Sequence, residues 1–125
     1  MNPTKKISLT LLEFAQPLID MLADPESKPE LESALLTATA VWNSCILDRC
    51  WRTDKHVAEL KRVASTSGLP GHLELLEALI ERKERMFGDD LRGINDPTVV
   101  MTENGLVLRA EARDVLEFAR REMKG

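Results

Sequence analysis

Apolar residues recur at helical spacing along most of this chain. The first predicted helix runs from about Thr10 to Leu22 and carries one apolar stripe. Thr10, followed three residues later by Glu13, is typical of a capping box, in which each side chain binds the other's free backbone N–H. Pro17 lies inside this pattern and predicts a kink or a later start.

Three further helices follow from the same pattern. The second runs from Pro29 to about Asp48 and is apolar on most sides, which places Trp42 in the core. The third is capped by Thr53 or Asp54 and extends to about Ala64. The fourth runs from about residue 72 to 87, and Gly88 after it fits a left-handed position that ends a helix.

The pattern changes to that of a hairpin near Asn104-Gly105, which separates two short apolar runs. Such a pair supplies the two positive-φ residues of a type I′ turn. With this pair as the loop, one face of the ribbon is apolar: Val99, Met101, Leu106, Leu108 and Ala110. The alternative is one long helix over 106–123, which also keeps helical spacing. In the hairpin interpretation a last helix begins near Asp114, where Asp114 and Glu117 form a second capping-box pattern.

The predicted fold is therefore mainly α, with some β structure. A chain of 125 residues corresponds to a single domain, 1–125. We expect a compact helical domain of about five helices, with one β-hairpin over about 98–111 before the C-terminal helix. Aromatic residues are only 4% of the chain, which argues against a sheet-dominated fold.

Charge and composition limit the classes of partner. A net charge of −4 and a pI near 5.2 disfavour broad attraction to nucleic acids or anionic membranes. No segment approaches the ~20 apolar residues of a membrane span. Two Cys do not suggest a disulfide framework. We expect a cytoplasmic protein.

Candidate metal and DNA sites are weak. Cys45 and Cys50 lie ~140° apart around a helix and would not share a metal. Ala64 and Gly68 match the turn of a helix-turn-helix, but the helix that follows carries Glu74 where that motif requires an apolar residue. Its first turns also lack side chains that read bases. We expect no metal and no cofactor, and we interpret the turn as a packing feature.

Candidate catalytic groups are equally sparse. Asp89, Asp90 and Asp96 cluster around Arg92 in the connector before the hairpin, without a second group that would define an acid–base site. Residues 81–85 form a charged run that is typical of a solvated helix face. The sequence names no catalytic residue.

Six residues are candidates for a protein interface. Trp and Arg are frequent interface anchors, and a two-stranded hairpin has edges that can pair with another chain. The candidates are Trp51, Arg52, Val99, Met101, Leu106 and Leu108. We therefore expect a small non-catalytic interaction, adaptor or regulatory protein that self-associates or binds a protein partner. The alternatives are a nucleic-acid-associated regulator using the basic face of the third helix, and a small-ligand or enzymatic site in the acidic connector at 89–96.

Overall fold

The computed structural model describes residues 6–24, 26–68, 70–103 and 105–113. It has four α-helices followed by two strands: α1 (Ile7–Ile19), α2 (Lys28–Trp51), α3 (Lys55–Thr66), α4 (His72–Met86), β1 (Gly93–Thr102) and β2 (Gly105–Arg113). The two strands form a two-stranded antiparallel sheet. The predicted mainly helical fold with a hairpin is confirmed. The fifth helix, predicted from near Asp114, lies outside the described residues.

The chain forms two compact units. The first comprises the described residues between 6 and 39 and between 94 and 112, and the second comprises the described residues between 40 and 93 together with residue 113. Helix α2 contributes its first twelve residues to the first unit and the remainder to the second.

Helix α1 begins earlier than predicted, and the capping box is wrong. The helix starts at Ile7, its N-cap residue Lys6 makes no side-chain capping bond, and Thr10 is buried inside it. The apolar stripe extends back to Ile7, and burial of that stripe outweighs the local capping preference of Thr10. Pro17 stays within the helix near its end, although it has no N–H to donate to the helix.

The core of the first unit is mainly aliphatic. Its most deeply buried helical side chains come from α1 and the start of α2: Leu11, Phe14, Ala15, Leu35 and Ala38. The hairpin adds Ile94 and Val99, each almost fully buried. Burial then alternates along β2, with Leu106, Leu108 and Ala110 half-buried and Val107 and Arg109 exposed. The predicted division of β2 into an apolar and a mixed face is confirmed.

The turn of the hairpin agrees in part with its prediction. Gly105 has φ +110°, the left-handed region that favours glycine, and it is already the first residue of β2. The Thr102 hydroxyl donates to the Gly105 carbonyl at 2.8 Å. Asn104 lies outside the described residues. The alternative helix is wrong over residues 106–113, which are strand.

The second unit contains the rest of α2, with α3 and α4 packed against each other. Its core includes Val41, Trp42, Ile46 and Leu79. The prediction for Trp42 is confirmed, since its side chain is fully buried. Its indole N–H donates to the Arg92 carbonyl at 2.7 Å, so the polar edge of this large ring is satisfied.

Gly88 was predicted to adopt a left-handed conformation, and this is wrong. Among the described glycines only Gly68, Gly71 and Gly105 have positive φ. Gly88 is instead a close-approach position, because a Cβ atom there would lie 2.6 Å from the backbone oxygen of Glu84.

Candidate functional site: the α2–α3 corner, its cleft and the hairpin edge

The end of α2 and the start of α3 are joined by one buried carboxylate. We call residues 48–57 the α2–α3 corner. Asp48 is only 7% exposed. Its Oδ1 accepts the backbone N–H of His56 at 2.9 Å, and its Oδ2 accepts that of Val57 at 2.9 Å. His56 Nδ1 lies 2.7 Å from the same Oδ1. Asp48 thus satisfies two of the free N–H groups that begin α3.

This capping residue differs from the predicted one. Asp54 occupies the N-cap position of α3, but its side chain makes no capping hydrogen bond. The Thr53 hydroxyl accepts only the Lys55 N–H, at 3.3 Å. Local sequence suggested Thr53 or Asp54, whereas the cap comes from a residue six positions before Asp54, at the end of the preceding helix.

The corner displays two of the predicted interface residues. Trp51 is 47% exposed at the last position of α2. Arg52 is exposed and has φ +52°, the only positive φ among the described non-glycine residues. The backbone N–H of Thr53 donates to the Asp48 carbonyl at 3.0 Å and closes the turn around the pair. Trp51 and Arg52 are therefore held on a backbone that Asp48 anchors at both ends.

A cleft of about 400 Å³ lies within the second unit. The cleft is lined by the end of α2, by the turn that follows Arg52, by the start of α3 and by the end of α4. The lining residues are Cys45, Ile46, Asp48, Arg49, Thr53, Asp54, Val57, Lys83, Glu84 and Gly88. The Arg49 guanidinium donates to the Gly88 carbonyl at 2.5 Å, which ties α2 to the end of α4.

Lys83 is the most unusual charged side chain of the cleft. It is only 3% exposed, although the sequence predicted a solvated charged run. That prediction is wrong for Lys83. Its ammonium donates to the carbonyls of Phe87 at 2.7 Å and Asp90 at 3.0 Å, and it lies 4.3 Å from the centre of the Trp42 ring. Burial lowers the pKa of Lys83, opposed by Cys45 and Asp90. Its hydrogen bonds close the C-terminal end of α4, which is a structural use of the charge.

Three other residues of that run, Glu81, Glu84 and Arg85, are exposed, as predicted. Arg85 and Glu81 form an ion pair at 3.3 Å, four residues apart. Arg82 is half-buried, with its guanidinium 5.6 Å from the centre of the Phe87 ring.

Cys45 is a poor nucleophile in this setting. Burial raises the pKa of the Cys45 thiol from 9.0 to about 11, although the charge of Lys83 opposes the rise. The Cys45 thiol is therefore protonated at neutral pH. Because the thiolate is the reactive form, this protonated thiol reacts poorly. Cys45 and Cys50 are both free thiols.

The acidic connector is internally satisfied at Asp90. Its carboxylate accepts the backbone N–H of Arg92 at 3.2 Å and the Nε–H of the same residue at 2.9 Å. Burial alone would raise the pKa of Asp90, but the hydrogen bonds from Arg92 outweigh it and lower the pKa. Asp89 is exposed, and neither it nor Asp90 lines the cleft. The side chain of Asp96 lies outside the described part of the structure.

The basic face of α3 is partly neutralised. Arg62 forms two hydrogen bonds with the Glu59 carboxylate, and His56 is held by Asp48. Lys55 and Lys61 remain as exposed cations on this helix. Gly68, at φ +77°, provides the turn to α4, so the helix-turn-helix pattern does mark a real turn between packed helices.

The hairpin residues of the predicted interface differ in accessibility. Val99 is 3% exposed, so its side chain is already satisfied within the protein. Leu106 and Leu108 are half-buried. The side chain of Met101 is not among those described. These four residues belong to the first unit, whereas Trp51 and Arg52 belong to the second.

The two hairpin strands present unequal edges. Proline cannot donate into a ladder, so within a sheet it is confined to positions whose nitrogen faces outward. Pro97 lies inside β1 and has no N–H to donate, so we expect its ring nitrogen on the outer side of that strand, where it leaves the edge one donor short. β2 carries no proline over its nine residues. Pro97 lies just outside the predicted hairpin of about 98–111, so the difference between the two edges depends on the observed bounds of β1.

Within the described ranges, no three His, Cys, Asp or Glu side chains are grouped so as to hold a metal ion. No described helix combines the length and the apolarity that crossing a membrane requires. No protein-family model matches this chain, and searches of curated proteins and of solved structures also found no match.

Proposed function

We propose that this protein is a small, non-catalytic, cytoplasmic interaction protein that self-associates through the edge of β2. The single observation that carries the proposal is the inequality of the hairpin edges. Pro97 blunts the outer side of β1, whereas β2 presents a proline-free strand of nine residues. An open edge strand can add a strand from another chain through main-chain hydrogen bonds.

The sequence of β2 favours a second copy of the same strand as the partner. Two antiparallel copies with Ala110 on the two-fold axis would place Arg109 of each copy opposite Glu111 of the other. Opposite charges in directly opposed positions stabilise a strand pair by roughly 0.2–1 kcal/mol each. A register centred on Arg109 would instead oppose two like charges. The favoured register yields a closed dimer with a continuous four-stranded sheet.

The non-catalytic part of the proposal has support from the cleft. Its buried ammonium, Lys83, is occupied by two carbonyls, and its thiol, Cys45, has a raised pKa. Both features suit packing better than proton transfer or nucleophilic attack.

Charge reversal tests the proposed pairing. Light scattering coupled to size exclusion, over about a hundredfold range of concentration, measures the dimer fraction. We expect Arg109→Glu and Glu111→Arg each to weaken the dimer, and the double variant to restore it because the opposed charges are again opposite. Lys61→Glu makes the same change of charge as Arg109→Glu on the exposed surface of α3, and it should leave the dimer intact.

Two outcomes would contradict the proposal. A monomer at every concentration would show that no second copy pairs with β2. A dimer that is insensitive to both single charge reversals would place the contact elsewhere.

A further inference from the structure

The α2–α3 corner carries a second inference, independent of the hairpin edge. We infer that the corner is a binding surface for an acidic protein segment. The observation behind it is an exposed Trp51 beside Arg52, on a backbone fixed by the buried Asp48. Aromatic and arginine side chains held in place before binding lose little conformational freedom when a partner docks.

The conformation of Arg52 is strained for a residue with a side chain. A φ of +52° is disfavoured by contact between Cβ and the backbone, and glycine would remove that cost. Strained positions are concentrated at functional sites, where the side chain gives something that glycine lacks. At Arg52 that contribution is an exposed guanidinium next to an exposed indole.

Charge indicates the class of partner. The exposed residues from Arg49 to Lys55 include three cations, Arg49, Arg52 and Lys55, and one acid, Asp54. The whole chain has a net charge of −4, so this is a locally positive surface on an acidic protein. Such a surface attracts carboxylates of a partner and orients it.

A protein segment fits this surface better than a nucleic acid does. The cleft beside the corner is lined by Asp54 and Glu84, so a ligand must keep its negative charges over Arg52 and Lys55 and away from the cleft. A peptide can space its carboxylates in this way, whereas a phosphate backbone carries a charge at every nucleotide. On α3, Arg62 is already paired with Glu59, and the His56 ring is hydrogen-bonded to Asp48. Cys45, Ile46 and Val57 also line the cleft and could receive one apolar side chain of a bound segment.

The two tryptophans make the test simple. Trp42 is fully buried and Trp51 is 47% exposed, so acrylamide quenches mainly Trp51. The probe is a short synthetic peptide rich in Glu with two Leu, and its matched control replaces each Glu with Lys. A single-stranded oligonucleotide of similar charge tests the phosphate alternative.

We expect the acidic peptide to shield Trp51 from acrylamide and to bind more weakly as salt rises. Arg52→Gly keeps the backbone conformation accessible and removes the charge, so it should weaken binding about tenfold. Lys61→Glu should leave the affinity unchanged, and Trp51→Phe should remove the quenchable signal. The measurement is repeated in Arg109→Glu, where binding should persist even if the dimer is lost.

Three results would overturn the inference. The first is absence of salt-sensitive shielding by the acidic peptide. The second is equal shielding by the Lys peptide, and the third is tighter binding of the oligonucleotide than of the acidic peptide.

Discussion

Asp48, rather than the N-cap residue Asp54, should stabilise the α2–α3 corner, and the free energy of unfolding of two variants can test this. Asp48→Ala removes the acceptor of two backbone N–H groups at 2.9 Å and of the His56 ring. Loss of a helix cap costs about 0.5–2 kcal/mol, and a hydrogen bond to a charged group contributes about 1.5–3 kcal/mol. Release of a buried carboxylate from its desolvation offsets part of this. We expect a net loss of about 2–4 kcal/mol in the free energy of unfolding.

Asp54→Ala is the matched control. Asp54 is exposed and makes no capping hydrogen bond, so only its charge near the start of α3 is lost. That contribution is about 0.5 kcal/mol. Asp48→Asn should lose an amount of unfolding free energy between those of Asp48→Ala and Asp54→Ala. Its amide oxygen can accept one of the two N–H groups, but its NH₂ group presents a donor to the other.

Urea unfolding followed by circular dichroism gives the answer directly. With a slope of about 2 kcal/mol per molar, Asp48→Ala should lower the unfolding midpoint by about 1–2 M. Asp54→Ala should move it by a few tenths of a molar at most. A loss at Asp54 as large as that at Asp48 would refute the assignment of the cap.

Three further predictions concern the second unit. Lys83→Met should lower the free energy of unfolding by about 2–4 kcal/mol because it removes two charge-assisted hydrogen bonds. Arg85→Met should cost under about 0.5 kcal/mol in the same urea titration. Gly88→Ala should cost about 1–3 kcal/mol by thermal unfolding, because the new Cβ would lie 2.6 Å from a backbone oxygen. Because the pKa of Cys45 is raised from 9.0 to about 11, the folded protein keeps the thiol proton at a pH where the unfolded chain loses it. The contribution of Cys45 to the free energy of unfolding is therefore complete below pH 9.0 and is lost as the pH rises through about 11. The difference in unfolding free energy between wild type and Cys45→Ala should therefore fall across that range, and a constant difference would contradict it.

Features set by local sequence were the ones that could be predicted. The hairpin was found because the strand faces alternate and because Gly105 fits a positive-φ position. The burial of Trp42 followed from its place among the apolar residues of α2. Both signals depend on neighbours within a few residues, which a single sequence contains.

The charged residues of the cleft could not be predicted, because their partners are set by tertiary structure. Lys83 sits among four charged neighbours, and periodicity alone gives it no different environment from theirs. Its burial depends on the path of the chain after α4, where the carbonyls of Phe87 and Asp90 turn towards it. The sequence does contain one signal, since a Lys in the last turn of a helix is well placed to bind its final carbonyls.

Asp48 shows the same limit and connects it to the proposed partner surface. A typical capping residue lies at the start of the helix that it caps, whereas Asp48 caps α3 from the end of the previous helix. A cap supplied in this way does more than satisfy two donors, because it fixes the direction in which the chain leaves α2. This constrains the residues between the two helices, and Arg52 has a φ of +52°, which is disfavoured for a residue with a side chain. Asp48→Ala should consequently weaken peptide binding at Trp51 even under conditions where the variant is still folded, whereas Asp54→Ala should not.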